Sequence, residues 1–397
     1  MKKIFGNKRD LIIEICVIFG VAAVIVISLL FMKNTPSYED KSTTQANDDK
    51  NAQHINYTET IAVIPTMDDV LLTDSTWTPT FQLIWNDLKN KYVKQDIKWD
   101  GQPSIVDSLN RESFKENMIS DSYLYKISDY KTLDLKKKIE NDIKKKFNQT
   151  SDVLDDLDWS DEGLDHGPEF NPRRILLYSI LYREFEYNNP LDELQNAYFK
   201  DVKNVRYFGI NEESDSKLYS QIEVLYYDSD NSDNREYIIK INTKNNDELY
   251  LVYKPEGSTF NDIWKTISEK SKQYKGNKNF TSDDYLMIPY LKFFIKRNYN
   301  ELCGHDFFDK TGDIKFTIEK AIQTVKLELD NKGGKVKSES VIDIKSYTTS
   351  VDPNINEKRY FNYNDTFALF IKEKGKDIPY FAARIDDINK YQEIKEA

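Results

Sequence analysis

The sequence predicts an α+β domain of large, mostly antiparallel β-sheets with surrounding helices, carried behind one N-terminal transmembrane helix. Three observations predict it. Runs such as residues 175–190, 221–227 and 320–345 alternate apolar and polar side chains with a period of two, as half-buried strands do. Between them, the stretches beginning at Phe81, Leu133 and Phe260 space their apolar residues by three and four, the signature of amphipathic helices. Ahead of everything, residues 11–32 form a 22-residue apolar run broken by Glu14 and a few small residues, long enough to cross a bilayer.

In chain order, residues 1–10 carry Lys2, Lys3, Lys8 and Arg9 and are expected in the cytoplasm, which puts the C-terminal part outside the cell. Residues 11–32 are the membrane helix; a cleaved signal is the alternative, disfavoured by the length of the run and the lack of a small-x-small site after it. Glu14 lies near the charged end, where it reaches the headgroups. Residues 33–60, rich in Ser, Thr, Asn, Asp and Lys, have too little to bury and read as a disordered extracellular linker. Residues 61–397 form the folded domain. The net charge of −11 argues against nucleic acid as a partner. The cysteines, Cys16 and Cys303, fall on opposite sides of the linker and build no disulfide framework. An abundance of Lys, Asn, Ile and Tyr points to an AT-rich bacterial genome.

Within the domain, Thr78 is placed to cap a helix with Pro79 at its first position, burying Phe81, Trp85, Leu88 and Tyr92. Residues 93–121 then offer only a short polar stretch with Ile105, Val106, Leu109 and Phe114. A charged helix follows, with Leu135, Ile139, Ile143 and Phe147 inward. The acidic loop 155–169 with His166 has no metal-ligand spacing and reads as solvated. Residues 175–190 form a strong strand, succeeded by strands near 205–208, 221–227, 236–241 and 248–253, and by a helix over 260–274. Residues 320–345 read as two strands joined at Gly333-Gly334. Gln323, Val325, Leu327 and Leu329 occupy one face of the first, with Lys326 and Glu328 on the wetter one.

No Gly-x-Ser-x-Gly, His-Glu-x-x-His or phosphate-binding loop is present, and His54, His166 and His305 are scattered; the sequence suggests no enzyme, cofactor or metal. What it does offer is an ordered set of segments. Lys320, Gln323, Glu328 and Asn331-Lys332-Gly333-Gly334 are preceded by Ile288-Pro289-Tyr290-Leu291-Lys292-Phe293 and followed by Phe361-Asn362, Phe367-Ala368-Leu369-Phe370-Ile371 and Phe381-Ala382-Ala383-Arg384-Ile385. In order and spacing these resemble the hinge, the Leu-Pro-Lys-Phe-Lys strand and the closing Phe-Asn, Pro-Phe-Leu-Phe-Ile and Phe-x-Gly-Arg-Val segments of the serpins. Residues 175–190 likewise resemble that family's central strand, with Ser179 in place of its asparagine and Tyr187 in place of its tryptophan.

The resemblance implies a serpin-like fold with a shortened N-terminal helical region, and a protease inhibitor of the serine or cysteine type. Such a protein presents an exposed loop to its target protease and, once cut, inserts that loop into a sheet as a new strand. It implies a hinge of Gly333, Gly334, Val336, Ser338 and Ser340, an inserted strand over residues 334–344, and a scissile bond between Tyr347 and Thr348. It also locates control of sheet opening at Ser179, Tyr187 and Gln323. The alternation supports insertion, because Gly334, Val336, Ser338, Ser340, Ile342 and Ile344 share one face while Lys335, Lys337 and Glu339 lie on the other. Several features depart from the family: Gln323 replaces its histidine, its hinge threonine is missing at Gly334, and the buried Ser-Pro-x-Ser-Ile segment expected after the first helix is not evident. Two further readings therefore stand beside inhibition: a non-inhibitory surface binding or adhesion module on a serpin-like scaffold, and an unrelated α+β receptor domain.

Overall fold

The alternating runs pair into two large layers. In the computed structural model, which describes residues 61–229, 235–336 and 358–392, a seven-stranded sheet runs in the order Ala62–Val63, Ser75–Trp77, Phe381–Ile385, Phe367–Glu373, Asp247–Tyr253, Tyr237–Asn242 and Ile222–Tyr227. All its neighbours are antiparallel except the first pair. Its middle strand, Phe367–Glu373, is buried at every residue, which explains why Phe367 to Ile371 is a continuous apolar run rather than an alternation. The expected tail, membrane helix and linker lie outside the described residues, as do Ser338, Ser340, Tyr347 and Thr348.

A second sheet has the order Leu291–Asn298, Ile322–Leu329, Gly333–Val336 and Arg183–Glu186. The last of these strands continues from Ile175–Leu181 through Tyr182, and Ile175–Leu181 pairs antiparallel with Leu124–Tyr130. A further four-stranded sheet joins Arg359–Asn362, Asp284–Pro289, Tyr207–Ile210 and Asp192–Glu193. The main apolar core draws on all of these sheets. The result is a mixed α+β architecture of large, mostly antiparallel sheets with surrounding helices.

The helices follow their periodicity. Leu133–Phe147 buries Leu135, Ile139, Ile143 and Phe147, and the Thr132 hydroxyl caps it by accepting from the Leu135 N–H. Phe260–Gln273 begins with a reciprocal cap between Thr259 and Asp262. Ser104–Asn110 is a short helix that buries Ile105, Val106 and Leu109, so residues 93–121 hold more structure than their polar text suggests. The first helix departs from expectation at its start. It spans Thr80–Asp87, extended by a π-helical stretch over Leu88–Val93, and Pro79 rather than Thr78 is its N-cap, with no side-chain capping bond. The Thr78 hydroxyl is engaged elsewhere, with Gln323.

Candidate functional site at the hinge and the cleft beside it

At the expected hinge, the chain makes a tight turn that the glycines follow rather than form. The Asp330 N–H donates to the Gly333 carbonyl at 2.9 Å, and the Asp330 carboxylate accepts from the N–H groups of Lys332 and Gly333 at 2.8 and 3.1 Å. Gly333 and Gly334 therefore open the second strand instead of joining the two, which corrects the expected junction. Their need for glycine is one of close approach: a Cβ on Gly333 would stand 2.0 Å from the Phe185 carbonyl oxygen, and one on Gly334 would stand 2.3 Å from the end of the Phe185 ring.

The short strand Gly333–Val336 is paired on both edges. On one side Lys335 and Gly334 face Glu328 and Leu329; on the other, Gly333 to Val336 face Glu186, Phe185, Glu184 and Arg183 in turn. Val336 points inward, 4% exposed, while the Lys335 ammonium points outward to Glu184 at 2.6 Å. The inside-outside alternation of this stretch thus agrees with the sequence for Gly334, Lys335 and Val336.

Among the described residues no strand lies between Ile175–Leu181 and Ile322–Leu329, and these two do not pair with each other. Both run antiparallel to the hinge strand's direction and so parallel to one another. Between them is a cleft of about 100 Å³ lined by Thr78, Thr80, Ser179, Gln323, Val325 and Val336, among others.

Ser179 and Gln323 face each other across this cleft, joined through the start of the first helix. The Ser179 hydroxyl donates to the Thr80 carbonyl at 2.8 Å. The Gln323 amide donates to the hydroxyls of Thr78 and Thr80 at 2.9 and 3.1 Å, and its oxygen accepts from the Tyr299 hydroxyl at 2.6 Å. Gln323 and Tyr299 are fully enclosed, and burial pushes the Tyr299 phenol well above its ordinary value, keeping it a neutral donor. Polar groups in such a place must be satisfied by one another, and these are.

Thr78 was expected only as a helix cap, and Thr80 and Tyr299 were given no place in the site. The signal was there in Thr78-Pro79-Thr80, two hydroxyls flanking a proline at a helix start. Tyr187 is not with Ser179 and Gln323: it lies wholly buried beyond the hinge turn, where its N–H donates to the Lys332 carbonyl at 2.9 Å.

Elsewhere the titratable groups form structural pairs. In the acidic loop, the Arg173 guanidinium holds Asp165 at about 2, helped by the N–H groups of Arg174 and Gly167. His166 touches the Asp161 carbonyl, and His305 stacks on Trp99 with ring centroids 5.1 Å apart. Among the described residues no group of three or more His, Cys, Asp or Glu side chains is arranged to hold a metal ion.

No protein-family model matches the chain, and no curated protein matches it. Similar solved structures include a highly specific serpin of the insect Tenebrio molitor, 13% identical, with 80% of this chain and 93% of that one covered at a TM-score of 0.41. Thyroxine-binding globulin in complex with thyroxine is 14% identical, with coverage of 79% and 92% and a TM-score of 0.42. Another structure, human thyroxine-binding globulin complexed with thyroxine, is 14% identical, with coverage of 78% and 91% and a TM-score of 0.41.

Proposed function

We propose that this chain is a serpin-like protease inhibitor anchored in the cell membrane by residues 11–32, with residues 61–397 outside the cell. The loop is cut near Tyr347-Thr348 by a target serine or cysteine protease, and residues 334–344 then insert as a strand between Ile175–Leu181 and Ile322–Leu329. The observation that carries this reading is the double pairing of Gly333–Val336, which occupies the head of a slot whose facing edges have no strand partner among the described residues. Continuing the same register would bring Ser338 between Leu181 and Val325, and Ser340 between Ser179 and Gln323, on the inward side with Val336. Small and apolar residues fit that side; Lys337 and Glu339 would face solvent beside Lys335.

The chemistry in this reading belongs to the protease, whose nucleophile attacks the loop carbonyl. This chain is not an enzyme; it contributes free energy, through backbone pairing along two open edges and burial of the inward face. The polar clasp of Ser179, Thr78, Thr80, Gln323 and Tyr299 stands in the path of the inserting strand and has to give way to it.

The test is thermal unfolding of the purified chain before and after nicking in the loop near Tyr347, together with exposure to serine and cysteine proteases. A higher midpoint after nicking and an SDS-resistant protease complex are expected. An unchanged or lowered midpoint refutes inhibition and leaves the non-inhibitory binding or adhesion module. The anchor is tested separately: the full chain should sediment with membranes, and a chain beginning at Ile61 should not.

A further inference from the structure

The last described rung of the hinge strand pairs Val336 with Arg183, and Arg183 is an unusual residue for the inside of a sheet. Its side chain is 8% exposed and turned toward the seven-stranded sheet, where Nε donates to the Asp247 carboxylate at 2.6 Å and Nη2 lies 2.5 Å from the same oxygen. The Asp247 side chain is fully buried; its other oxygen accepts from the Tyr380 hydroxyl at 2.9 Å. The Tyr123 ring covers the guanidinium, with its centroid 4.1 Å away. Asp247 opens the strand Asp247–Tyr253, and the turn before it makes two more ties: the Lys244 N–H donates to the Glu186 carbonyl at 2.8 Å, and the Glu186 N–H to the Asn245 side chain at 3.1 Å.

We infer that Arg183 is a positioning residue for the hinge: through Asp247 it pins the strand Arg183–Glu186 to the seven-stranded sheet and holds open the strand-wide slot that Gly333–Val336 occupies. Its role in loop insertion rests on the inhibitory reading. The strands on either side of the hinge run parallel to each other, so an unpinned wall is free to close on its neighbour over one strand spacing of about 4.8 Å and expel the hinge. A shift of that size carries the guanidinium off Asp247 and leaves two buried charges unpaired, which the interior strongly opposes. An apolar pair in the same place would fill the space equally well yet resist sliding far less, because apolar contact is not directional. A buried ion pair is therefore suited to fixing a position here more than to adding stability.

The test is amide hydrogen exchange on the full, uncut chain, comparing the wild type with the double variant Arg183→Met, Asp247→Leu. The variant should remain folded while the amides of residues 334–336 and 184–186 exchange at least about tenfold faster. Wild-type exchange at those amides in the folded double variant overturns the inference. If the double variant does not fold, Tyr380→Phe, which removes one bond to Asp247 and keeps the ring, should speed the same amides about threefold, and no change there overturns it equally. Because the uncut protein is measured, faster exchange in the variant together with no gain in wild-type stability on nicking upholds the pin and refutes the inhibitory reading alone.

Discussion

Replacing Gly333 by alanine should expel or distort the hinge strand, and the size of the effect can be worked from its surroundings. The added Cβ would stand 2.0 Å from the Phe185 carbonyl oxygen and 2.8 Å from the Glu186 Cα, both backbone atoms of a strand tied to the seven-stranded sheet, so neither neighbour can rotate away. Forcing an extra carbon into such packing costs about 1–3 kcal/mol. If the strand leaves instead, the burial of Val336 is lost, again about 1.5–3 kcal/mol. The two routes agree on roughly 1–3 kcal/mol, which for a domain of this size lowers the melting midpoint by about 1–4 °C. Gly334→Ala should cost less, since its Cβ would meet the far end of the Phe185 ring, 2.3 Å away, which can tilt. Calorimetry and urea unfolding of the two variants check both the magnitude and the order. A Gly333→Ala protein as stable as the wild type, or a reversed order, would show that the hinge strand does not sit against Phe185, and the double pairing on which the proposed function rests would fall with it.

Gln323→Ala should destabilise by about 2–4 kcal/mol in urea unfolding, since it strands the buried Tyr299 hydroxyl and loosens both threonines. Asp247→Ala should cost about 3–5 kcal/mol, more than the paired replacement of Arg183 and Asp247, because it leaves the arginine charge buried alone. Thr132→Ala removes the cap of Leu133–Phe147 and should cost about 1 kcal/mol. Asp165 has its carboxyl lowered from 3.8 to about 2, so its contribution is fully present above about pH 4 and is lost as the pH falls toward 2. Asp165→Asn should flatten that acid limb in a stability-against-pH series; an unchanged limb would mean that Arg173 and Asp165 are not paired in solution.

How much could be read in advance depended on whether a feature is local. The helix Leu133–Phe147 was legible from its four apolar positions, Leu135, Ile139, Ile143 and Phe147, whereas its Thr132 cap emerged only with the structure. The strand Ile322–Leu329 and its inward face of Gln323, Val325, Leu327 and Leu329 were legible too, because a half-buried strand writes its environment into alternate residues. The glycine pair was visible as a special place, though its reason was misread: the turn belongs to Asp330, and the glycines answer to Phe185, which lies almost 150 positions earlier in the chain.

By itself, then, the sequence determined the elements, their inward faces and the order of the segments around the hinge, since propensity and periodicity are properties of neighbouring residues. Only the tertiary structure decided which of the described strands pair and which side chains line the cleft. Thr78 and Thr80 meet Gln323 across more than 240 positions, and Arg183 meets Asp247 across 64, in contacts with no periodic trace. Their polar atoms are satisfied only by partners that folding delivers, and a buried hydrogen bond constrains the pair without marking either residue in its own neighbourhood.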